Sequence, residues 1–569
     1  MADEQQTWRR LIPSGLRGYQ RSWLRADVLA GLTLAAVAIP ETMGYASIAQ
    51  MPVVTGLYTV LFPTILFALL GSSRLLVVGA DSATAAILAS GLAGLGVSTL
   101  VPGSPHWVAL GSLIALVSGG LLVLARLLRL GFLGDFLSAS VLIGFLTGVG
   151  IQVGVGQLPE MLGISKGSGS WLEQQAHLLS HLGETDLLSL AFAVGTIVLV
   201  LGGKRLAPKV PGAILAVVIS IIVSSTLHLS ARGVAVVGPI PGGFPPLGLP
   251  SGIGWSDVTR VLPTAITCFV LIIAQSAATS RSFASRHGER VDVNRDIVGL
   301  SAANLAAGLS GTFVVNGSPT KTQILDEQQA RTQVANLTMA GVVLVILLFF
   351  TGVLAELPRP VLGAIVFLIA VDLIDLRGLE RVRLVRGSEF VIAVVTAVVV
   401  LVAGVQHGIV LAVALSLLNL VRRQYRPHRF VISLDADGEP SYRPAEPGMQ
   451  SSPGLVVFRY DADLFYANAN QFADSVRQII TSAPDPVRWL VLDCSSITDA
   501  DYSAGAALHE LVTFVHNRGA VFALAGVDPE LRKMLARLGI LRLLHIDHVY
   551  DTVEAAVAGY RASGPDHEK

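Results

Sequence analysis

Four polar residues interrupt apolar stretches of the sequence, and their side chains are of types that could bind a charged solute. Glu41 lies in AIPETMGYA, Asp81 in VVGADSATAAIL, Gln275 in IIAQSAATS and Lys321 in VVNGSPTKTQIL. Ionisable side chains at membrane depth are costly, so each is a candidate for function. A single lysine favours an anion over a cation, and acids close to it could carry a proton. The alternative is that Lys321 pairs with Asp81 or Glu41 only to hold two parts of the fold together.

Two of these residues lie in segments that resemble each other. VVGADSATAAIL begins at Val77 and VVNGSPTKTQIL begins at Val314, and both are short, interrupted apolar segments. Paired broken helices in inverted repeats indicate the binding site of a transporter, because their N-termini present free N–H groups and partial positive charge to an anion. The alternative is that glycine and serine here only permit close helix packing. The residues expected to form the anion site are Glu41, Tyr45, Asp81, Ser82, Gln275, Ser318, Thr320 and Lys321.

The composition indicates a membrane protein. Hydrophobic residues make up 52% of the chain and charged residues 14%, with a mean hydropathy of +0.64, whereas soluble proteins have about 25% charged residues. Lys+Arg and Asp+Glu are both 40, so charge gives no argument for a nucleic-acid partner, and none is expected. Two distant cysteines provide neither a disulfide framework nor metal-ligand spacing. We find no catalytic triad and no phosphate-binding glycine loop, so we expect no enzyme, metal or cofactor.

Apolar runs from residue 27 to residue 421 predict fourteen membrane-spanning helices, with twelve as the competing count. Each span needs about 20 apolar residues. With the N-terminus inside, the predicted outer loops hold only Lys166, Arg232, Arg260 and Arg359. Apart from Lys321, which lies within a span, the other lysines and arginines of this region fall inside, as the positive-inside rule requires. Twelve spans would place several arginine clusters outside. Residues 1–26 are read as a cytoplasmic segment and not as a cleavable signal.

The C-terminal part of the sequence predicts a separate α/β domain. Residues 453–560 alternate strand-like runs such as GLVVFRYD with helical runs such as NQFADSVRQII, a pattern typical of a largely parallel sheet covered by helices. Residues 422–452, rich in Pro, Gly, Asp and Ser, are predicted to be a linker. Residues 561–569 are predicted to be a polar tail.

The chain resembles the SulP family of anion transporters, which are relatives of the mammalian sulfate and chloride exchangers and of prestin. IPETMGYA and MPVVTGLYTVLFPTILFALLGSSRLLVVG are similar to the family's patterns in its first spans, and SFASRHGERVDVNRDIVGLSAANLAAGLSGTF to its ninth. The end of the chain resembles a STAS domain through LVLDCSSITDADYSAGAAL and DPELRKMLARLGI. The resemblance implies an all-α membrane domain built as a seven-plus-seven inverted repeat, like that of the uracil transporters. It also implies a homodimer in which a core domain moves against a gate domain, as in an elevator.

Departures from the family pattern concern the mechanism. Many family members have an acid at the position of Gln275 and an arginine at the position of Lys321. The family usually has glutamine at the position of Glu41 and an apolar residue at the position of Asp81. We therefore expect proton coupling through Glu41 or Asp81 and no sodium site. The family's substrates include sulfate, bicarbonate, chloride, nitrate and dicarboxylates, and its members perform symport or exchange.

The expected function is secondary active transport of a small anion across the inner (plasma) membrane, with both termini cytoplasmic. Three alternatives stay open: an anion exchanger, a channel or voltage-responsive motor, and a STAS-linked sensor with vestigial transport. In the STAS domain, the serine that is phosphorylated in related anti-sigma-factor antagonists matches Tyr502, with Ser503 beside it. A regulatory role of Ser503 is therefore only a weak expectation, and we expect Ser503 to cap a helix. The domain is expected to serve dimerisation, docking of a cytoplasmic partner or control of transport.

Overall fold

The computed structural model describes residues 19–96, 100–130, 138–165, 167, 171–206, 212–425, 427–434, 439–544 and 548–564. It divides into two compact units, Met1–Ser416 and Leu417–Lys569. The first unit is helical apart from two very short strands, and the second is an α/β domain. These two classes are the ones that the sequence predicts.

The first half of the helical unit runs from α1 to α9. Its elements are α1 (Leu24–Ile48), α2 (Val53–Val60), α3 (Phe62–Leu70), β1 (Val77–Gly79), α4 (Ser82–Ala93), α5 (Pro105–Leu127), α6 (Ala139–Leu162), α7 (Trp171–Ser180), α8 (Leu187–Leu206) and α9 (Gly212–Leu227). The second half repeats the succession of long helices around one short strand. Its elements are α10 (Trp255–Arg286), α11 (Val293–Leu309), β2 (Asn316–Ser318), α12 (Pro319–Glu327), α13 (Val334–Phe349), α14 (Thr351–Leu354), α15 (Arg359–Asp372), α16 (Leu376–Val385), α17 (Gly387–Ala403) and α18 (Val405–Tyr425).

Five helical segments in the described part of the chain are long and apolar enough to cross a membrane. They are Arg21–Ile48, Val53–Leu70, Pro105–Leu127, Ala139–Leu162 and Trp255–Arg286. Six further apolar helices are shorter, among them α4, α9, α13 and α17. Helix length alone therefore leaves the predicted count of fourteen spans a prediction.

The helices of the first unit pack in two groups. In the group that we call the core helices, α11 packs against α5 and α3, α13 against α1, and α10 against α5 and α4. In the group that we call the gate helices, α6 packs against α15 and α17, and α8 packs against α9 and α15. The groups meet where α1 contacts α15 and α9. Glycines allow several close crossings; a Cβ at Gly308, for example, would lie 2.6 Å from the carbonyl oxygen of Ser112.

A short two-stranded sheet lies among the core helices and positions the two broken helices. Strands β1 and β2 pair antiparallel, with Val77 opposite Ser318 and Gly79 opposite Asn316. All residues of both strands are buried. The backbone N–H and C=O groups of these strands have no partners within a helix, and the pairing satisfies them. Non-helical backbone inside a membrane requires such partners. Because α4 follows β1 and α12 follows β2, the pairing brings the N-termini of both helices together.

The second unit is built on a six-stranded sheet of order β4-β3-β5-β6-β7-β8. The strands are β3 (Arg429–Leu434), β4 (Pro440–Pro444), β5 (Leu455–Tyr460), β6 (Trp489–Asp493), β7 (Val521–Ala525) and β8 (Val549–Tyr550). Strands β5 to β8 are parallel, whereas β3 is antiparallel to both β4 and β5. The helices are α19 (Ala469–Thr481), α20 (Tyr502–His516), α21 (Pro529–Arg537), α22 (Ile540–Leu543) and α23 (Val553–Ala562).

The segment 422–452, expected to be a linker, differs from that expectation because it contains two strands. In β3, Val431 and Ile432 are buried, and Val431 pairs with Phe458 of β5. The Pro, Gly and Ser residues that indicated a linker are concentrated after residue 434. The preceding residues, RFVISL, have a sequence typical of a strand. The composition of the whole segment concealed this short run.

Candidate functional site

The N-termini of α4 and α12 are each capped by a residue predicted for the site. The Asp81 side chain accepts a hydrogen bond from the backbone N–H of Ala83 at 3.1 Å. The Ser318 hydroxyl accepts one from the backbone N–H of Lys321 at 3.4 Å. Such caps satisfy one of the free N–H groups of a helix N-terminus and leave the partial positive charge of the others directed at the space between the helices.

Lys321 connects the two broken helices. Its side chain is among the largest fully buried ones, with 1% of the residue exposed. The Nζ atom donates a hydrogen bond to the carbonyl oxygen of Ala80 at 2.6 Å, and it lies 4.8 Å from the centroid of the Tyr45 ring. A lysine on α12 thus reaches the β1–α4 junction and lies over an aromatic face on α1, which stabilises a cation.

The two predicted acids lie on α1 and at the start of α4. The Tyr45 hydroxyl donates to Oε2 of Glu41 at 3.5 Å, and the Nε2 atom of Gln275 donates to Oδ2 of Asp81 at 3.5 Å. Among the described residues, no carboxylate lies within 4.0 Å of the Lys321 ammonium group. The alternative in which Lys321 forms a direct ion pair with Asp81 or Glu41 is therefore not realised in this structure.

A buried amide network holds Gln275 in place, and sequence reasoning missed two of its members. Asn316 Nδ2 donates to Oε1 of Gln275 at 2.9 Å, and the Ser276 hydroxyl donates to Oδ1 of Asn316 at 2.8 Å. The backbone N–H of Gly317 donates to the Ser276 hydroxyl at 3.1 Å. This fixes the Gln275 amide group with its NH₂ towards Asp81. The available signal was the position of Asn316 inside the repeated segment VVNGSPTKTQIL.

The remaining predicted residues lie at the helix starts. Ser82 is buried at the first position of α4. Thr320 is exposed, and its hydroxyl lies 3.2 Å from that of Ser318. A further missed residue, Thr322, donates to the Ser318 carbonyl at 2.6 Å and accepts from the Val77 N–H at 3.1 Å. Thr322 thus ties α12 to β1, so both broken helices are held as one body.

The expected cap at Ser503 in the second unit is wrong. Asp501 caps α20, since its side chain accepts a hydrogen bond from the Ala504 N–H at 2.7 Å. Ser503 lies inside the first turn and is exposed, next to Tyr502, which is 86% exposed. Aspartate and serine cap helices about equally well, so local sequence alone did not distinguish the two positions.

Comparisons with known proteins identify related sequences and related folds. The Sulfate permease family pattern matches residues 24–396, and the STAS domain pattern matches residues 446–556. A probable sulfate transporter of Mycobacterium tuberculosis is 36% identical over 96% of this chain and 97% of its own length.

Two solved structures share the fold. The murine solute carrier 26 family member A9 anion transporter, in the inward-facing state, superposes with a TM-score of 0.87 at 22% identity, covering 97% of this chain and 94% of that one. The transmembrane domain of the cyanobacterial bicarbonate transporter BicA gives a TM-score of 0.61 at 24% identity, covering 69% of this chain and 98% of that one.

Proposed function

Because the chain belongs to the sulfate permease family, whose members are anion transporters with a C-terminal STAS domain, we propose that it transports a small anion bound between the N-termini of α4 and α12. The anion belongs to the sulfate, bicarbonate or dicarboxylate class. Sulfate is the first candidate, because the Mycobacterium tuberculosis relative is named as a probable sulfate transporter.

The observation that carries this proposal is the environment of Lys321. Its ammonium group is buried, and in the described part of the chain its hydrogen-bond acceptor is a backbone carbonyl and not a carboxylate. A buried ammonium group that has no carboxylate within ion-pair distance is costly. A bound anion at the two helix N-termini would supply a direct partner once Glu41 or Asp81 is protonated, and the helix dipoles would add to the attraction.

We further propose that a proton accompanies the anion. With Glu41 and Asp81 both ionised, the two carboxylates outweigh the single ammonium group, and the site repels an anion. A proton on either acid makes the side chains neutral in sum and leaves the helix N-termini to attract the anion. Gln275 cannot ionise, so the residue that many family members use as an acid contributes no charge here.

The proposed transport cycle is an elevator movement of the core helices past the gate helices. The residues of the site lie on α1, α4 and α10, which are core helices, and on α12, which packs against α1 and α10. A site confined to one group can move with that group as a rigid body, which is the alternating-access mode of inverted-repeat transporters.

The proposed topology has fourteen spans in two sets of seven. The first set is α1, α2 with α3, β1 with α4, α5, α6, α8 and α9; the second is α10, α11, β2 with α12, α13, α15, α17 and α18. The protein would lie in the plasma membrane as a homodimer with both termini cytoplasmic, and its STAS domain would be free to bind a cytoplasmic partner.

Uptake into proteoliposomes tests the proposed function. Radiolabelled sulfate, bicarbonate and succinate are supplied with an inward proton gradient and without one, and sodium is varied separately. We expect uptake of at least one anion to rise with the proton gradient and to be lost in Lys321→Ala, with partial retention in Lys321→Arg. Lys533→Ala, which removes an exposed lysine 2.8 Å from Glu530 in the second unit, is the matched control.

Three results would contradict parts of this proposal. Uptake that requires sodium and ignores the proton gradient would exclude proton coupling, and rapid counterflow without gradient dependence would mean exchange. Uptake that is unchanged in Lys321→Ala would place the anion elsewhere.

A further inference from the structure

A cavity lined by both polar and apolar residues lies between the core and gate helices, at the ends that the arginine distribution predicts to face outward. Its volume is about 430 Å³. The core side is formed by the end of α1 and the start of α2, including Ser47 and Gln50. The gate side is formed by α6, the start of α15 and residues 237–241, and includes Gln157 and Glu160.

This cavity is distinct from the site at Lys321. Along α1, Ser47 lines the cavity, whereas Glu41 belongs to the Lys321 site. Gly44 lies between them, where α1 crosses α15 so closely that a Cβ on Gly44 would lie 2.5 Å from Cγ2 of Val366. The crossing separates the two spaces along α1.

Among the described residues that line the cavity, Arg359 is the only basic one. Its backbone N–H donates to the Ala235 carbonyl at 2.8 Å, and its Nε donates to the Val236 carbonyl at 3.2 Å. In the described part of the chain, no carboxylate lies within salt-bridge distance of its guanidinium group. Arg359 also begins α15, so the positive end of that helix adds to its charge. The anchored side chain keeps its terminal N–H groups for a ligand.

The polar groups around Arg359 suit a small oxyanion or carboxylate. The side chains of Ser47 and Gln50 offer hydrogen-bond donors, and guanidinium binds such anions with two parallel hydrogen bonds. Glu160 contributes a negative charge to the cavity. It packs against α15, since a Cβ added to Gly363 would lie 3.3 Å from the Cβ of Glu160. The Glu160 carboxylate would therefore compete with an anion for Arg359.

We propose that this cavity is an external anion-binding site, with Arg359 as its cationic ligand and Glu160 as the competing carboxylate. It receives the anion before the anion reaches the site at Lys321, and in this respect it rests on the proposed transport function. The proposal assigns opposite effects to the two charged residues, because one attracts the anion and the other repels it.

Thiol labelling of Gln157→Cys, applied from outside to intact cells, measures the charge in the cavity without relying on transport. Both native cysteines are buried. Anionic and cationic methanethiosulfonate reagents are compared at the same thiol, so that the ratio of their rates cancels differences in access. We expect Arg359→Gln to lower the anionic-to-cationic rate ratio by about threefold or more, and Glu160→Gln to raise it similarly. Arg260→Gln, which removes an outer arginine that does not line the cavity, is the control and leaves the ratio unchanged.

Protection by external sulfate, at constant ionic strength, locates the bound anion. We expect sulfate to slow labelling by the anionic reagent, and this protection to be lost in Arg359→Gln but kept in Lys321→Ala. Arg359→Gln should also raise the KM for external anion without changing kcat. If protection is lost in Lys321→Ala and kept in Arg359→Gln, the proposed external site is wrong and the proposed transport function is unaffected. If sulfate protects the thiol but no anion is taken up, the external site is supported and the transport proposal is contradicted.

Discussion

Tyr45 contributes to the proposed anion site through its ring more than through its hydroxyl group. The Lys321 ammonium lies 4.8 Å from the ring centroid, whereas the hydroxyl lies 3.5 Å from Glu41, at the limit of a hydrogen bond. A buried cation–π contact contributes up to about 2 kcal/mol. We therefore expect Tyr45→Phe to transport nearly as well as the parent protein and Tyr45→Leu to raise the KM for the anion by about tenfold. Equal losses in the two variants, measured by uptake at varied anion concentration, would assign the role to the hydroxyl.

At the scale of single residues, the sequence singled out the charged residues whose role in an anion site stays a prediction, and it missed the residues that orient them. Glu41, Asp81 and Lys321 were recognisable because ionisable groups are rare in apolar segments. Asn316 and Thr322 were not, since their hydrogen bonds to Gln275 and to the Val77 N–H depend on how β2 and α12 pack.

Asp296 shows the converse case, a buried acid with a structural role. Its carboxylate accepts hydrogen bonds from the backbone N–H groups and hydroxyls of Ser72 and Ser73. These bonds tie α11 to the connection between α3 and β1. Burial together with a full set of donors explains why this carboxylate needs no ligand.

Among the helices, the crossing of α1 and α15 is the contact that the proposed elevator movement must change. A Cβ on Gly44 would overlap Val366, and overpacking of this kind costs about 1–3 kcal/mol. Because the overlap exists only while the two helices are in this register, Gly44→Ala would disfavour this state relative to the others. We expect a lower kcat in Gly44→Ala, restored when Val366→Ala is added. Gly341→Ala on α13, where a Cβ meets nothing within 4 Å, is the control; uptake by Gly44→Ala at the parent rate would contradict a moving contact here.

Elements with a strong periodic pattern were predictable, whereas very short or non-local ones were not. The strands and helices of the second unit from β5 to β7 follow the predicted order, whereas the two-residue strand β8 was not predicted. The pairing of β1 with β2 was missed because a buried strand of three residues has no alternation to detect. Strand β3 was missed because its sheet partner β5 lies beyond a stretch rich in Pro and Gly, and the pairing is tertiary.

For the molecule as a whole, the repeated segments connect sequence to architecture. Two short matches, far apart in the chain, form the two adjacent strands at the centre of the core helices. The division into core and gate helices was expected only from the family resemblance, because it depends on which helices pack together and no local pattern encodes that.

The membrane topology can be tested directly, because fourteen and twelve spans place the same residues on opposite sides. If α4 and α12 cross the membrane, Arg126 at the end of α5 lies inside and Glu184 outside; if neither crosses, the two exchange sides. Both side chains are exposed. The two native cysteines do not interfere with labelling. Both are buried, and burial raises the pKa of the Cys494 thiol, which keeps it protonated. We expect an impermeant maleimide added to intact cells to label Glu184→Cys but not Arg126→Cys until the cells are opened. The reverse pattern would exclude α4 as a span and, with it, the facing helix N-termini on which the anion site depends.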